Sequence, residues 1–263
     1  MKRELHIFLT AVMFYTRIPC PRWVDHNPEY INLSTRYFPI IGWIVGGLYG
    51  AVVLICSLVF TTTISVLLGL GFSVLVTGAF HEDGLADVCD GFGGGWTKEK
   101  ILMIMKDSRV GTYGVIGIIL AFALKIVSTI ELFPLTGSAP VLFLITFISA
   151  HSLSRAMAVG IIYFQTYARE DKEDSKAKPV AAGISLSNFL LAITFGIVPF
   201  VYFLSQTSWF LSAALLPMAL LTTYLARYFK KWIGGYTGDC LGATQQLTEL
   251  IFLLSLVAIW KFI

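Results

Sequence analysis

Phe38-Pro39-Ile40-Ile41-Gly42-Trp43-Ile44-Val45-Gly46-Gly47-Leu48-Tyr49-Gly50-Ala51-Val52-Val53-Leu54-Ile55-Cys56-Ser57-Leu58-Val59-Phe60 contains no charged side chain. A run of about 20 apolar residues is what a helix needs to cross the hydrocarbon core of a bilayer. Comparable runs lie at 64–80, 113–133, 140–162, 184–205 and 209–229, and a seventh helix is expected from Leu241 to Ile263. The composition agrees: 56% of the 263 residues are hydrophobic, only 13% are charged, and the mean hydropathy is +0.77. Soluble globular domains carry about 25% charged residues. The chain therefore reads as an all-α, polytopic integral membrane helical bundle with about seven transmembrane helices, a single membrane domain over residues 1–263. Arg17 and Pro19 stand where a signal peptide would need small residues for cleavage. The stretch from Met1 to Pro21 reads instead as an interfacial or re-entrant helix, with Leu5, Phe8, Leu9, Val12 and Met13 expected on its apolar side.

Lys and Arg collect on the cytoplasmic side of membrane proteins, and here they alternate cleanly. Lys2, Arg3, Arg17, Arg22 and Arg36 precede the first span. Lys98, Lys100, Lys106 and Arg109 lie in the 81–112 segment, Arg169, Lys172, Lys176 and Lys178 in the 163–183 segment, and Arg227, Lys230 and Lys231 near 227–240. The intervening connections near 61–63, 134–139 and 206–208 have none. This predicts a cytoplasmic N-terminus, an external C-terminus and an inner-membrane location, with the working loops facing the cytoplasm. The net charge of +3 is thereby explained by topology, and nothing points to nucleic acid. Cys20, Cys56, Cys89 and Cys240 form no CxxC pair, so neither a disulfide framework nor a zinc site is expected.

Against this apolar background the segment His81-Glu82-Asp83-Gly84-Leu85-Ala86-Asp87-Val88-Cys89-Asp90-Gly91 is dense in acids. If it is helical, Asp83, Asp87 and Asp90 project from one face, where they can offer carboxylate oxygens to a divalent cation. Without a cation they would repel one another. Ionisable groups beside an apolar span are expensive and usually functional, which favours a metal site over a merely solvated face. Glu82 points roughly 100° away from Asp83 on a helix and is the weaker ligand. Gly91-Phe92-Gly93-Gly94-Gly95 reads equally as a hinge or as a close approach to phosphate. Thr97 is expected to cap a short helix. Lys106-Asp107-Ser108-Arg109-Val110-Gly111 then offers Arg109 and Lys106 for phosphate and Asp107 as a further metal oxygen, although Arg109 also suits a topological anchor.

Lys125 lies too deep to snorkel and should face the bundle interior. Arg155 near the end of its span fits either snorkelling or substrate binding. Asp239 is expected as an N-cap of the last helix, whose Gln245, Gln246 and Glu249 argue for a lined cavity. His81 suits a structural or a catalytic role equally, and His6, His26 and His151 give no signal.

Together the blocks Phe14-Tyr15-Thr16-Arg17-Ile18-Pro19, Phe38-Pro39-Ile40-Ile41-Gly42, His81 to Asp87 through Asp90-Gly91, Lys106 to Gly111 and Gly238-Asp239-Cys240-Leu241-Gly242-Ala243 resemble the cobalamin 5'-phosphate synthase family, also called adenosylcobinamide-GDP ribazoletransferases. The resemblance covers nearly the whole chain. It implies a Mg²⁺-dependent transferase that joins adenosylcobinamide-GDP to α-ribazole or its 5'-phosphate and releases GMP. It also implies Mg²⁺ at Asp83, Asp87 and Asp90, phosphate contacts from Arg109, Lys106, Ser108, Arg155, Asp239 and Arg17, and a general base among a metal-free Asp, Glu82 and His81. A homo-oligomer or an association with other cobalamin-assembly enzymes stays open. A CDP-alcohol phosphotransferase would carry an Ala-Arg pair after Asp-Gly, whereas here Asp87 follows Ala86. A secondary transporter would place its acids at the midplane of paired halves, and no paired halves are visible.

Overall fold

The computed structural model describes residues 2–24, 27–168 and 183–263. Arg169, Lys172, Lys176 and Lys178 of the expected cytoplasmic loop, and His26, lie outside the described residues. Eleven α-helices follow one another among the described residues. They are α1 (Lys2–Tyr15), α2 (Pro28–Ser34), α3 (Phe38–Ser57), α4 (Thr62–Thr77), α5 (Phe80–Gly94), α6 (Lys98–Ile104), α7 (Thr112–Thr136), α8 (Pro140–Phe164), α9 (Leu186–Gln206), α10 (Leu215–Ile233) and α11 (Gly238–Trp260). No strand is present among those residues; a single isolated bridge pairs Tyr167 with Tyr236. Six helical segments are long and apolar enough to cross a membrane, and a seventh span results if the bent pair α4 and α5 is taken as one.

Helices α8 and α11 are the central members, with two thirds of their span residues buried against protein, whereas α7, α9 and α10 keep most of theirs outward. Lipid tails are as apolar as Leu, so burial alone does not hold such helices together; close backbone packing does. Gly42, Gly46 and Gly50 recur every fourth residue on the face of α3 that meets α8. A Cβ at Gly42 would sit 2.7 Å from the Ser152 backbone nitrogen, and one at Gly50 would sit 3.1 Å from the Leu144 side chain. The groove these glycines leave admits the backbone of α8, while Val45, Tyr49, Val53, Phe143 and Phe147 fill the space beside it.

The segment 81–112, expected as a loop, is mostly helical. Gly78 (φ 66°) and Ala79 (φ 57°) both adopt the left-handed conformation and turn the chain by 90° between α4 and α5. Ala79 is the one non-glycine residue with positive φ among the described residues, and such a residue costs roughly 1–2 kcal/mol. The Arg17 side chain lies directly over Gly78, where any Cβ would displace it. The Arg17 backbone N–H also donates to the Val76 carbonyl at 2.7 Å, so the N-terminal segment braces this bend.

The expected N-terminal helix forms as α1 and packs on the bundle; of its expected apolar side Val12 is buried and Phe8, Leu9 and Met13 are half-buried. Ile7, Ala11, Val12 and Tyr15 are buried, while Leu5 is exposed. The glycine run is helical rather than a loop. Gly91 to Gly94 continue α5, and a Cβ at Gly91 or Gly95 would meet Met105 or Ile101 at 2.6 Å. The glycines let α6 fold back against α5. Thr97 does cap α6, accepting from the Lys100 N–H.

Candidate active site

Helix α5 presents its acids as the spacing predicts: His81, Gly84, Leu85 and Val88 turn inward, Asp83 is exposed, and Asp87 and Asp90 are half-buried. Glycines again decide what lies opposite. Gly84 of α5 and Gly242 of α11 face each other so closely that a Cβ on Gly84 would lie 2.9 Å from the Asp239 carbonyl oxygen. One on Gly242 would lie 3.1 Å from that of His81. The first turn of α11 is thus clasped against the acid-bearing turn of α5, and Asp239 is brought beside the aspartate motif. Its expected role is corrected: Thr237, not Asp239, is the N-cap, accepting from the Cys240 N–H, and its hydroxyl also donates to Asp239 Oδ2 at 3.2 Å. The turn before α11 is tied to the segment that follows α8, since the Ala168 N–H donates to Tyr236 O and the Tyr236 N–H to Thr166 O.

Asp90 differs from the other two aspartates. Its Oδ2 accepts from the Gly111 N–H at 2.7 Å and its Oδ1 from the Gly114 N–H at 2.9 Å. The carboxylate therefore sits on the positive end of α7, where unsatisfied N–H groups favour an anion. Gly111 and Gly114 are needed there because a Cβ at either position would run into that carboxylate. Asp107 and Arg109 are found together on the connection between α6 and α7. Arg109 Nε donates to Asp107 Oδ1 at 3.0 Å and Nη2 to Oδ2 at 2.7 Å. These hydrogen bonds hold the Asp107 carboxyl down at about 2, from an ordinary 3.8. The Arg109 side chain is 87% exposed, so its guanidinium is held by a surface partner. Lys106 and Ser108 share this exposed tip.

Beneath the acids lies a buried polar network. Lys125 Nζ donates to Glu249 Oε1 at 2.7 Å and to Gln246 Oε1 at 2.6 Å. Gln246 Nε2 reaches Glu82 Oε1 at 3.0 Å, Gln245 Nε2 donates to Glu249 Oε2, and His151 Nδ1 lies 3.1 Å from that same oxygen. Lys125 faces inward as predicted. Arg155 is corrected from snorkelling: it is 1% exposed, donates to the His151 carbonyl and lies over the Phe38 ring. Phe38 in turn stacks on Tyr15 and His81. His151, which gave no signal in the sequence, belongs to this cluster; its place four residues before Arg155 on one helix face was the available clue.

These residues enclose a small pocket of about 20 Å³, room for a water molecule rather than a substrate. A separate open groove of about 400 Å³ lies between α4, α5 and α7, lined by Val74, Ala79, Ala86, Val115, Ile118 and Phe122 with Asp83 at its edge. Glu82 lines both spaces. Arg155 and His81 face the enclosed pocket, apart from Asp83.

A family model described as cobalamin-5-phosphate synthase matches residues 7–257. The chain belongs to the cobalamin-5-phosphate synthase family. Among its relatives, the adenosylcobinamide-GDP ribazoletransferase of Leptospira interrogans is 44% identical over 100% of this chain and 99% of its own. Proteins of the same name from Leptospira biflexa and Shewanella amazonensis are 39% and 42% identical, each covering at least 97% of both chains. No solved structure matches. Within this cobalamin-5-phosphate synthase family chain, the five blocks on which the resemblance rested converge on one region. Tyr15, Phe38 and His81 stack together, while the start of α11 and the Gly111–Gly114 turn both pack against α5.

Proposed function

We propose that this chain transfers the cobinamide phosphoryl group of adenosylcobinamide-GDP to a ribose hydroxyl of α-ribazole or its 5'-phosphate, releasing GMP, with Mg²⁺ as cofactor and the site open to the cytoplasm. The observation that carries this reading is the clasp of α5 against α11, which leaves Asp83 exposed and lining the open groove, with Asp87 half-buried one turn further along the same helix. Among the described residues no three His, Cys, Asp or Glu side chains are poised to cage a metal. That suits magnesium, which takes one or two carboxylates and completes its shell with water and substrate phosphates. Asp83 and Asp87 would hold it, with Asp90 fixing the turn behind them. When bound, Mg²⁺ supplies neutralisation of the charge that grows on the leaving phosphate.

The residues of the chain supply the remainder. The attacking hydroxyl oxygen forms a bond to the cobinamide-bearing phosphorus while the bond from that phosphorus to the GMP oxygen breaks. Glu82, whose Oε2 is buried without a partner, stands at the groove and takes the hydroxyl proton; His81 is turned away against Phe38. Arg109 and Lys106 at the loop tip pair with phosphate oxygens, Arg109 exchanging Asp107 for the substrate, which its fork geometry permits. Incubating the purified protein with adenosylcobinamide-GDP, α-ribazole and Mg²⁺ tests the reading. Release of GMP that depends on both ribazole and the metal supports it; an inert protein, or one that acts on a CDP-linked donor, refutes it.

A further inference from the structure

Gln246 is the point where the buried network touches Glu82. Its Oε1 accepts from Lys125 Nζ at 2.6 Å, and its Nε2 donates to Gln245 Oε1 at 2.9 Å and to Glu82 Oε1 at 3.0 Å. A lysine ammonium is a donor only, so the amide oxygen must face Lys125 and the amide nitrogen must face Glu82. Lys125 is itself fixed by Glu249 at 2.7 Å, and both of those side chains are almost fully buried. The amide orientation is thereby settled from the α7 side, and it makes Glu82 Oε1 an acceptor. The second Glu82 oxygen is buried without a partner, and the residue lines both the enclosed pocket and the open groove. An unpartnered buried acceptor is costly, and such a cost is tolerated where a ligand supplies the missing donor.

We propose that Gln246, its amide turned by Lys125, is a positioning residue that holds the Glu82 carboxylate at the groove wall with its second oxygen ready to accept a hydrogen bond from the attacking hydroxyl. The inference rests on the transferase reading above for the identity of that hydroxyl. The bond itself is independent of it.

Exchanging donor and acceptor separates a positioning role from a structural one. Glu82→Gln, Gln246→Glu and the double variant are purified alongside the parent, and each is measured for its thermal midpoint without substrate and for the KM and kcat of GMP release. Gln246→Glu alone sets two carboxylates against each other and should lower the midpoint. The double variant restores a donor facing an acceptor and the original charge count but not the bond to Gln245 Oε1, so its midpoint should rise well above that of Gln246→Glu without fully reaching the parent's. Its kcat should nevertheless stay down by roughly 100-fold, the lower end of what a positioned proton acceptor contributes, with KM little changed. Glu82→Gln should share that loss with a parent-like midpoint. If the double variant recovers kcat together with its midpoint, the bond is structural and the proposal fails; Glu82→Gln turning over like the parent sinks it equally. Should Gln246→Glu not fold, Gln246→Met removes the bond without adding charge, and unchanged kcat in that variant also overturns the proposal. If the parent releases no GMP, the transferase reading falls, while the midpoints still decide the bond: no recovery in the double variant refutes it.

Discussion

The three aspartates of α5 look equivalent in sequence, and the structure predicts that they will respond differently to the same substitution. Asp90 accepts two backbone N–H bonds at the start of α7; Asp83 is exposed. Asp90→Asn keeps one carbonyl acceptor but loses the charge and turns an NH₂ toward a backbone donor. Hydrogen bonds to charged groups contribute about 1.5–3 kcal/mol each, so losing one of the two should destabilise by about that amount. For a chain of this size each kcal/mol moves the thermal midpoint by roughly 2–4 °C, giving a drop of roughly 3–12 °C. Asp83→Asn removes only an exposed charge and should stay within about 0.5 kcal/mol of the parent, while GMP release falls by orders of magnitude. The assay is a thermal melt in detergent alongside a Mg²⁺ titration of activity. A parent-like midpoint for Asp90→Asn, combined with a Mg²⁺ dependence displaced as in Asp83→Asn, would place Asp90 among the ligands and refute the clamp.

Gly84→Ala should cost about 1–3 kcal/mol and abolish turnover, because its Cβ would meet Asp239 backbone atoms at 2.9–3.0 Å and pry α5 from α11; a stable, active variant would contradict the clasp. Arg109→Lys preserves the positive charge but not the fork, so it should insert normally and lose about one to two orders of magnitude in kcat/KM; parent-like kinetics would leave Arg109 an anchor only. The Asp107 carboxyl is depressed to about 2, so its pairing with Arg109 is complete above pH 4 and is lost as the pH falls through about 2. Infrared titration of the carboxylate should find that low midpoint, and one near 3.8 would show that the pair does not form in solution. A cysteine placed at Thr97 should resist an impermeant thiol reagent added outside intact cells, and ready labelling would invert the orientation read from Lys and Arg.

The sequence by itself determined the class of fold, the approximate spans and the identity of the acid-bearing segment. Those follow from local quantities: the length of an apolar run against the thickness of a bilayer, and the angular period of a helix. It also placed Lys125, Gln245, Gln246 and Glu249 inside, because a charge deep in a span has nowhere else to go. What it left undecided depended on which backbones touch. The 90° turn at Gly78 and Ala79 converts an expected loop into a second helix, and Ala79 carries no sequence mark of a left-handed residue. The glycines of α5 read as a hinge or a phosphate cradle until Met105 and Ile101 were found filling the space they leave. Asp90 was indistinguishable from Asp83 and Asp87 until α7 brought two N–H groups from more than 20 residues away. His151 acquired its role only when Glu249 of α11 arrived beside it, and Arg155 when the Phe38 ring of α3 came under its guanidinium. Each of these outcomes is set by contacts between helices distant in the chain, and no local period encodes them.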